Sequence, residues 1–128
     1  MRKSLRNALA VTTAITSMAT AVYAESHIGE VNLYSSRHYD TDERLYTDFT
    51  EQTGIVINRI EGNADELIAR MTAEGRNSPA DILLTVDTSR LERAKNAGVL
   101  QSIDSDVLEA RIPSGLQDSD NQWFGFSQ

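Results

Sequence analysis

The sequence predicts an α/β fold in which a mainly parallel β-sheet is covered by helices on both faces. Three observations support this fold class. Short apolar segments typical of strands alternate with amphipathic segments typical of helices, polar loops with helix-capping residues separate them, and the third apolar segment is nearly continuous. Because parallel neighbours need crossover connections, this alternation favours one parallel sheet.

The first strand is predicted at residues 31–35, where apolar and polar side chains alternate before the polar loop 36–39. Asp40 is suited to cap the helix that follows, because Glu43 lies three residues later in the capping-box position. Gly54 is expected at the end of this helix, where a left-handed residue is common. The segment therefore predicts a strand–loop–helix unit.

A second unit of the same kind follows directly. Residues 55–60 predict a buried strand, and Asn63 with Glu66 predicts the capped start of a second helix. Gly75 and Pro79 mark the end of that helix. The recurrence of the unit supports the parallel sheet.

The third strand is predicted at residues 82–86, where the apolar run suggests burial on both faces, and it ends at Asp87. A third helix is expected over residues 89–97, ending at Gly98, before an irregular acidic stretch at 101–120. The aromatic residues near the C-terminus are expected in the core: Trp123, Phe124 and Phe126.

Residues 1–24 predict a secretory signal peptide that is cleaved after Ala24. A cationic start precedes a mildly apolar stretch at residues 8–21, which is well short of the roughly 20 residues that span a bilayer, so a retained anchor is the weaker alternative. We therefore expect an exported, soluble product with one domain at residues 25–128. The cations of the signal are Arg2, Lys3 and Arg6.

Composition excludes several classes of function. The chain has no cysteine, so it can form neither a disulfide nor a thiolate metal site. Removing the signal leaves 9 of the 12 Lys and Arg residues against 19 Asp and Glu, a net charge of −10 that argues against nucleic-acid binding. No catalytic motif is present in the sequence, so an enzyme is not expected.

In open parallel sheets, ligands bind outside the carboxyl ends of the strands, which here are the loops 36–39, 61–63 and 87–89. The first loop holds His38 and Tyr39 side by side. An imidazole and a phenolate can both bind a transition metal, and a hard ferric ion favours phenolate oxygen. By spacing alone, however, such a pair is more often an ordinary surface feature.

Other residues near these loops have two interpretations. Arg37 is either a free surface cation or the partner of an anion that accompanies a metal, and Gly62 offers backbone donors near a helix start. Asp87 is either a neighbour of the ligand or the cap of the third helix. Tyr34 and Tyr46 are expected to be structural, because one lies on a strand and the other on a helix.

Three segments carry a resemblance to a known family: VNLYSSRHY at 31–39, FTEQTGI at 49–55 and SPADI at 78–82. Together they resemble the ferric-iron-binding periplasmic proteins of bacterial ABC transporters, in particular the iron-deficiency-induced branch of cyanobacteria. The similarity continues through residues 97–100 to 123–127 and so covers nearly all of the mature chain. The resemblance implies a type II periplasmic-binding fold, whose two α/β lobes close around one ferric ion, Fe(III), and deliver it to a membrane permease.

The resemblance also implies site residues. In the Ser-Arg-His-Tyr branch the tyrosine binds iron, so Tyr39 is the expected ligand, with His38 as a second ligand or a neighbour. Some relatives place a carboxylate just after the third strand, where this chain has Val86, and Asp87 follows one position later. That ligand is therefore not carried over.

Family members are more than twice as long, so the resemblance implies an N-terminal lobe without its second lobe. We expect this lobe to be monomeric and to bind iron weakly, with residues 124–128 left as a stub without a strand partner. Two alternatives stay open, namely a binding protein of the same fold for another small anion or organic solute, and a truncated product without function.

Overall fold

The computed structural model describes residues 28–126. Within them, three strands and four α-helices follow one another in the order β1, α1, β2, α2, β3, α3, α4, with two short 3₁₀ turns at Gly75–Asn77 and Ser114–Leu116. The bounds are β1 Gly29–Ser35, α1 Asp40–Thr53, β2 Ile55–Glu61, α2 Ala64–Glu74, β3 Ile82–Leu84, α3 Thr88–Asn96 and α4 Asp106–Arg111.

The three strands form one parallel sheet in the order β2-β1-β3. The helix α1 connects β1 to β2 on one side of it, and the helix α2 connects β2 to β3 on the other side of β1. The two crossovers therefore run in opposite directions across the sheet. Right-handed crossovers then place these helices on opposite faces. Leu33 of β1 lies beside Phe49 of α1 along one cavity, whereas the next residue, Tyr34, packs against Leu67 of α2. The predicted parallel sheet with helices on both faces is confirmed.

The buried core lies between the sheet and α2. Tyr34 is fully buried and packs with Leu67 and Met71. Its hydroxyl donates to the Glu74 carboxylate at 3.2 Å, so the one polar atom of this side chain has a partner. The structural role predicted for Tyr34 is confirmed. Partly buried side chains complete the cluster: Ile60, Ala80, Leu83 and Val99.

The helix ends follow the sequence signals with one exception. Asn63 caps α2 by accepting from the Asp65 N–H at 2.9 Å, and Gly54 has the expected left-handed backbone, with φ of 70°. Asp40, in contrast, is the first residue of α1 and not its cap, so that prediction is wrong. The N-cap position belongs to Tyr39, whose extended backbone has φ −99° and ψ 128° and whose side chain makes no cap hydrogen bond.

The third strand is shorter and more exposed than predicted. β3 pairs only with β1, and its outer edge has no strand partner within residues 28–126. Ile82 is consequently 50% exposed and Val86, beyond the strand, is 41% exposed. The expected burial on both faces is wrong for this segment, because an apolar run suited to a central strand lies here at an edge. The strand β2 is likewise only partly buried.

The segment predicted as irregular contains α4, which Ser105 caps by accepting from the Leu108 N–H. Gln117 then forms an antiparallel bridge with Phe124, so the expectation that residues 124–128 lack a partner is wrong at Phe124. Phe126 is 70% exposed, and its predicted place in the core is also wrong.

Asp118 fixes this segment to α3. Its side chain is 4% exposed and accepts from Lys95 Nζ at 2.6 Å and from the backbone N–H groups of Asp120 and Gln122 at 3.2 Å. Burial alone would raise the pKa of Asp118, but the hydrogen bonds from Lys95 and the two N–H groups outweigh it and hold the pKa below its usual value. The carboxylate therefore stabilises this segment in its ionised form.

The predicted signal peptide at residues 1–24 and its cleavage after Ala24 lie outside the described residues, as does His27. Across residues 28–126, none of the helices combines the length and the apolar character that a membrane crossing requires.

Candidate metal-binding loop at the carboxyl end of the sheet

The three predicted loops begin at one edge of the sheet. Ser35, the last residue of β1, lies in register with Glu61 of β2 and with Leu84 of β3. Backbone hydrogen bonds extend this alignment into the loops, since the Ser36 N–H donates to the Leu84 carbonyl at 2.9 Å and the Gly62 N–H donates to the Ser35 carbonyl at 3.1 Å. These contacts confirm that the first two loops begin side by side, next to the end of β3; the third predicted loop begins three residues beyond that end, at Asp87.

The loop between β1 and α1 is held from inside by Ser35. This side chain is fully buried, and its hydroxyl lies 3.1 Å from both the N–H and the carbonyl oxygen of Arg37. The hydroxyl can accept from the N–H and donate to the carbonyl, so it replaces the partners that a strand neighbour would supply. The backbone of the loop at residues 36–37 is thereby fixed on the end of β1.

Arg37 is paired within the protein. Its Nε and one terminal nitrogen donate to the two carboxylate oxygens of Asp42 at 2.9 and 3.1 Å, the bidentate arrangement that suits a guanidinium. The hydrogen bond from Arg37 lowers the pKa of Asp42, and the bond to Asp42 in turn raises the pKa of Arg37. Of the two interpretations of Arg37, neither the free cation nor the anion partner describes this state.

Tyr39 lies at the junction of the loop and α1. It is 53% exposed, so its phenol is accessible, and the Arg37 guanidinium carbon lies 5.0 Å from the centre of its ring. The Tyr39 carbonyl accepts from the Asp42 N–H at 2.9 Å, which closes the first turn of the helix. The phenol is thus carried by a backbone that is fixed on both sides of it.

His38 lies beside Tyr39 and is also exposed. Its Nδ1 lies 3.5 Å from a carboxylate oxygen of Glu61, and that glutamate also pairs with Arg59 Nε at 2.9 Å. A carboxylate next to one ring nitrogen favours the tautomer that leaves the other nitrogen, Nε2, free to act as a ligand. His38 and Tyr39 can therefore offer one nitrogen and one oxygen from adjacent positions.

The charges around the loop favour a cation. Two guanidinium groups and four carboxylates lie at this end of β1, β2 and α1, so the local formal charge is −2. The first turn of α1 is itself acidic, which would repel an anion from that helix start. The residues counted are Arg37, Arg59, Asp40, Asp42, Glu43 and Glu61.

The structure gives Gly62 and Asp87 structural roles. The Gly62 N–H donates to the Ser35 carbonyl. Leu67 fills the space beside the Gly62 Cα, and its Cδ2 would lie 3.3 Å from a Cβ added there. Asp87 caps α3 by accepting from the Arg90 N–H at 3.0 Å and from the Ser89 hydroxyl at 2.7 Å. The contacts of both residues are accounted for without a ligand.

Tyr46 is the other tyrosine near the loop. Its hydroxyl is buried and has no hydrogen-bond partner among the described residues, and the Arg59 guanidinium carbon lies 4.9 Å from its ring centre. Because this hydroxyl is buried whereas Tyr39 is half-exposed, the two phenols differ in what they can bind. The predicted structural role of Tyr46 agrees with this placement.

The site is shallow and incomplete within the described part of the chain. No group of three or more His, Asp or Glu side chains in residues 28–126 is arranged to hold a metal ion. Two cavities of about 550 and 460 Å³ lie beside β3 and under α1, and Arg37 lines both, whereas His38 and Tyr39 line neither. Ligands from one loop alone leave most of a metal coordination sphere open.

Two residues of this arrangement were not predicted. Asp42 pairs with Arg37, which precedes the candidate ligands, and Glu61 lies beside His38, which is one of them, yet neither carboxylate was assigned a role from the sequence. The signal for Asp42 was its place in the acidic first turn of a helix directly after an arginine-containing loop. The signal for Glu61 was its place at the end of a strand predicted beside the first.

In parallel α/β sheets of this kind, ligands bind at the loops outside the carboxyl ends of the strands, and a lobe of this architecture is the class of fold that solute-binding proteins use. No family model matches the chain. It is 56% identical over 99 residues to iron uptake protein A1 of Synechocystis sp. and 46% identical over 119 residues to iron uptake protein A2 of the same organism. These matches cover 77% and 91% of this chain but only 28% and 33% of the relatives.

Solved structures agree with these relatives. The chain matches, with a TM-score of 0.75 and 56% identity, the Trichodesmium protein IdiA (FutA) solved in complex with iron and citrate ligands, over 77% of this chain and 31% of that one. It matches the ferric binding protein from Campylobacter jejuni with a TM-score of 0.72 and 48% identity, over 73% and 30%. The chain is thus a homologue of ferric-iron-binding proteins and spans about a third of their length. The predicted resemblance and fold class are confirmed.

Proposed function

We propose that this chain is a lobe of an exported solute-binding protein that captures ferric iron in the periplasm for an ABC importer. The observation that carries the proposal is the half-exposed Tyr39, which follows the central strand β1 at the carboxyl edge of the sheet and lies in a locally negative field. The ferric-iron-binding homologues support the choice of cargo. In this proposal, the permease in the inner membrane is the partner and the lobe acts as a monomer, not as an enzyme.

In the proposed site, Tyr39 supplies a phenolate and His38 supplies Nε2. Ferric iron is a hard ion that displaces the phenol proton, and the carboxylates around the loop compensate part of its charge. The other coordination positions would be filled by water or by ligands from outside the described residues. One lobe alone should therefore bind weakly, because nothing excludes solvent from the ion.

The alternative of an anionic or organic solute has less support from the geometry. An anion binder would use Arg37 and the Gly62 N–H, but both already have partners inside the protein. The start of α2 is also occupied, since Asn63 caps it and Asp65 and Glu66 make its first turn acidic. An anion would have to displace Asp42 or Ser35 and enter a negative field.

A ferric titration tests the proposal. The chain as it stands, and a chimera that joins it to the remaining two thirds of Synechocystis iron uptake protein A1, would be titrated with ferric nitrilotriacetate while the visible phenolate-to-iron charge-transfer band is recorded. We expect colour in the chimera and a weaker response of the chain alone. Tyr39→Phe should shift the band and weaken binding by at least about tenfold.

Tyr46→Phe is the matched control, because it also removes one phenol hydroxyl from α1 or its start, but from a buried position. It should leave the band and the affinity unchanged. If Tyr39→Phe behaves like Tyr46→Phe in the chimera, Tyr39 is not a ligand. If the unsubstituted chimera stays colourless, the ferric assignment is wrong.

A further inference from the structure

We propose that Arg37 and Asp42 form a positioning pair that holds the Tyr39 ring in the orientation in which its phenol binds iron. This inference rests on the proposed function, since it assigns the residues that act through Tyr39. Neither Arg37 nor Asp42 contacts the metal in this scheme. Their role is to fix a side chain that is otherwise half-exposed and free to rotate.

The contacts form a closed loop of interactions. The Arg37 backbone is bound by the Ser35 hydroxyl, its guanidinium is bound by Asp42 through two hydrogen bonds, and the guanidinium carbon lies 5.0 Å from the centre of the Tyr39 ring. The Asp42 N–H returns to the Tyr39 carbonyl. Asp42 therefore holds Tyr39 in two ways: its carboxylate fixes the arginine that contacts the ring, and its N–H binds the tyrosine backbone directly.

Burial supports a role beyond that of an ordinary surface pair. The side chains of Arg37 and Asp42 are 21% and 14% exposed, whereas the Arg44–Asp48 pair on the same helix is 88% and 47% exposed. A partly buried, bidentate pair keeps its geometry better than an exposed pair with a single contact. The guanidinium of Arg37 is thus held in one position, and the exposed Tyr39 ring can stack against it.

Asp42 also offsets the positive charge of Arg37 near the proposed metal position. A cation next to the ring attracts a phenolate but would repel a ferric ion bound to the same oxygen. Because Asp42 accepts two hydrogen bonds from Arg37, the pair is close to neutral as seen from the metal. The stacking contact is kept while most of the repulsion is removed.

The first test needs no metal. Ring signals of Tyr39 would be followed by NMR in the whole chain with ¹³C-labelled tyrosine, and assigned with Tyr39→Phe. Arg37→Met keeps an apolar stem but removes the planar cation, and Asp42→Asn weakens the hold on the guanidinium. Both should move the Tyr39 ring signals toward the values of a freely rotating tyrosine, while those of the buried Tyr34 stay in place.

Asp48→Asn is the matched control, because it removes the same charge from an Arg–Asp pair of the same helix that has no contact with Tyr39. It should leave the Tyr39 ring signals unchanged. In the ferric titration of the chimera, Arg37→Met and Asp42→Asn should shift the charge-transfer band and weaken binding about two- to fivefold, the size of an exposed cation–π contact. Asp48→Asn should not shift the band.

The outcomes separate this inference from the proposed function. A chimera that colours and depends on Tyr39, but whose band and ring signals are the same in Asp42→Asn and Asp48→Asn, would overturn the positioning role and leave the ferric site intact. Absence of the band in the unsubstituted chimera would overturn the ferric site. Whatever the titration shows, Tyr39 ring signals that do not move in Arg37→Met would contradict the positioning role of Arg37 and Asp42.

Discussion

The contact between Gly62 and Leu67 allows a sharp prediction about how the loop after β2 packs on α2. Leu67 is 4% exposed, so Leu67→Ala should lower the free energy of unfolding by about 3 kcal/mol, the central value for a buried leucine. Gly62 has no positive φ, so an alanine fits its backbone. The added Cβ, however, would lie 3.3 Å from Leu67 Cδ2 and 3.5 Å from its Cγ.

Two opposing effects then set the cost of Gly62→Ala. Overpacking against Leu67 should cost about 1 kcal/mol, and the smaller entropy of the unfolded chain should return about 0.4–1 kcal/mol. The single variant should therefore be destabilised by less than about 1 kcal/mol. In the Leu67→Ala background the clash is absent, so Gly62→Ala should stabilise by about 0.4–1 kcal/mol.

The assay is urea unfolding of the four proteins of the double-mutant cycle, followed by far-UV circular dichroism and by Trp123 fluorescence. We expect a coupling free energy of about 1 kcal/mol, above the roughly 0.3–0.5 kcal/mol that separates additive from coupled sites. Additive effects would show that the loop does not pack on Leu67 as described. A large loss from Gly62→Ala in both backgrounds would instead show that the backbone at residue 62 does not accept a Cβ for a reason other than its contact with Leu67.

Two further predictions concern other parts of the fold. Asn63→Ala should lower the free energy of unfolding by about 1 kcal/mol, because the Asp65 N–H at the start of α2 loses its cap. Urea midpoints would check this, with Asn77→Ala in the 3₁₀ turn after α2 as the control. Asp118→Asn should lower the melting temperature at pH 7, but the difference from the parent should shrink as pH falls below 3.8 and through the lowered pKa of Asp118, because the parent loses its ionised carboxylate there. A melting-temperature difference that is constant from pH 7 to pH 3 would contradict the assigned role of Asp118.

The order of strands and helices could be predicted because each element carries a local signal. The alternation in β1, the cap at Asn63 and the glycines with positive φ at 54, 75 and 98 are properties of a few neighbouring residues. The helix α4 was missed because six residues in an acidic stretch show no apolar period, although Ser105 was available as a cap. Local signals thus locate an element better than they measure its length.

The extent of β3 could not be predicted for a different reason. Its apolar run depends on neighbours that pair with the strand, and sequence composition does not say whether those neighbours are within the described chain. The same limit applies to burial of Ile82 and Phe126, which are both largely exposed. Burial is a property of the assembled fold and not of the segment.

The position of the candidate ligands followed from the sequence, but their environment did not. Loops at strand ends meet at one edge by topology, so Tyr39 and His38 could be located in advance. The pairing of Arg37 with Asp42 crosses the boundary between a loop and a helix, where a spacing of five residues has no fixed geometry. Only the actual turn at Tyr39 brings the two charges together.

The central position of β1 has a consequence for when this sheet can form. Residue 29 pairs with residue 55 and residue 33 pairs with residue 82, so the first strand of the chain waits for partners 26 and 49 positions away, and the two outer strands do not touch each other. Closing such long loops makes sheet formation slow compared with helix formation. A chain that emerges from its amino end can therefore pair one edge of β1 once residue 61 has followed, but the other edge of β1 stays without its partner until residue 84 has followed as well.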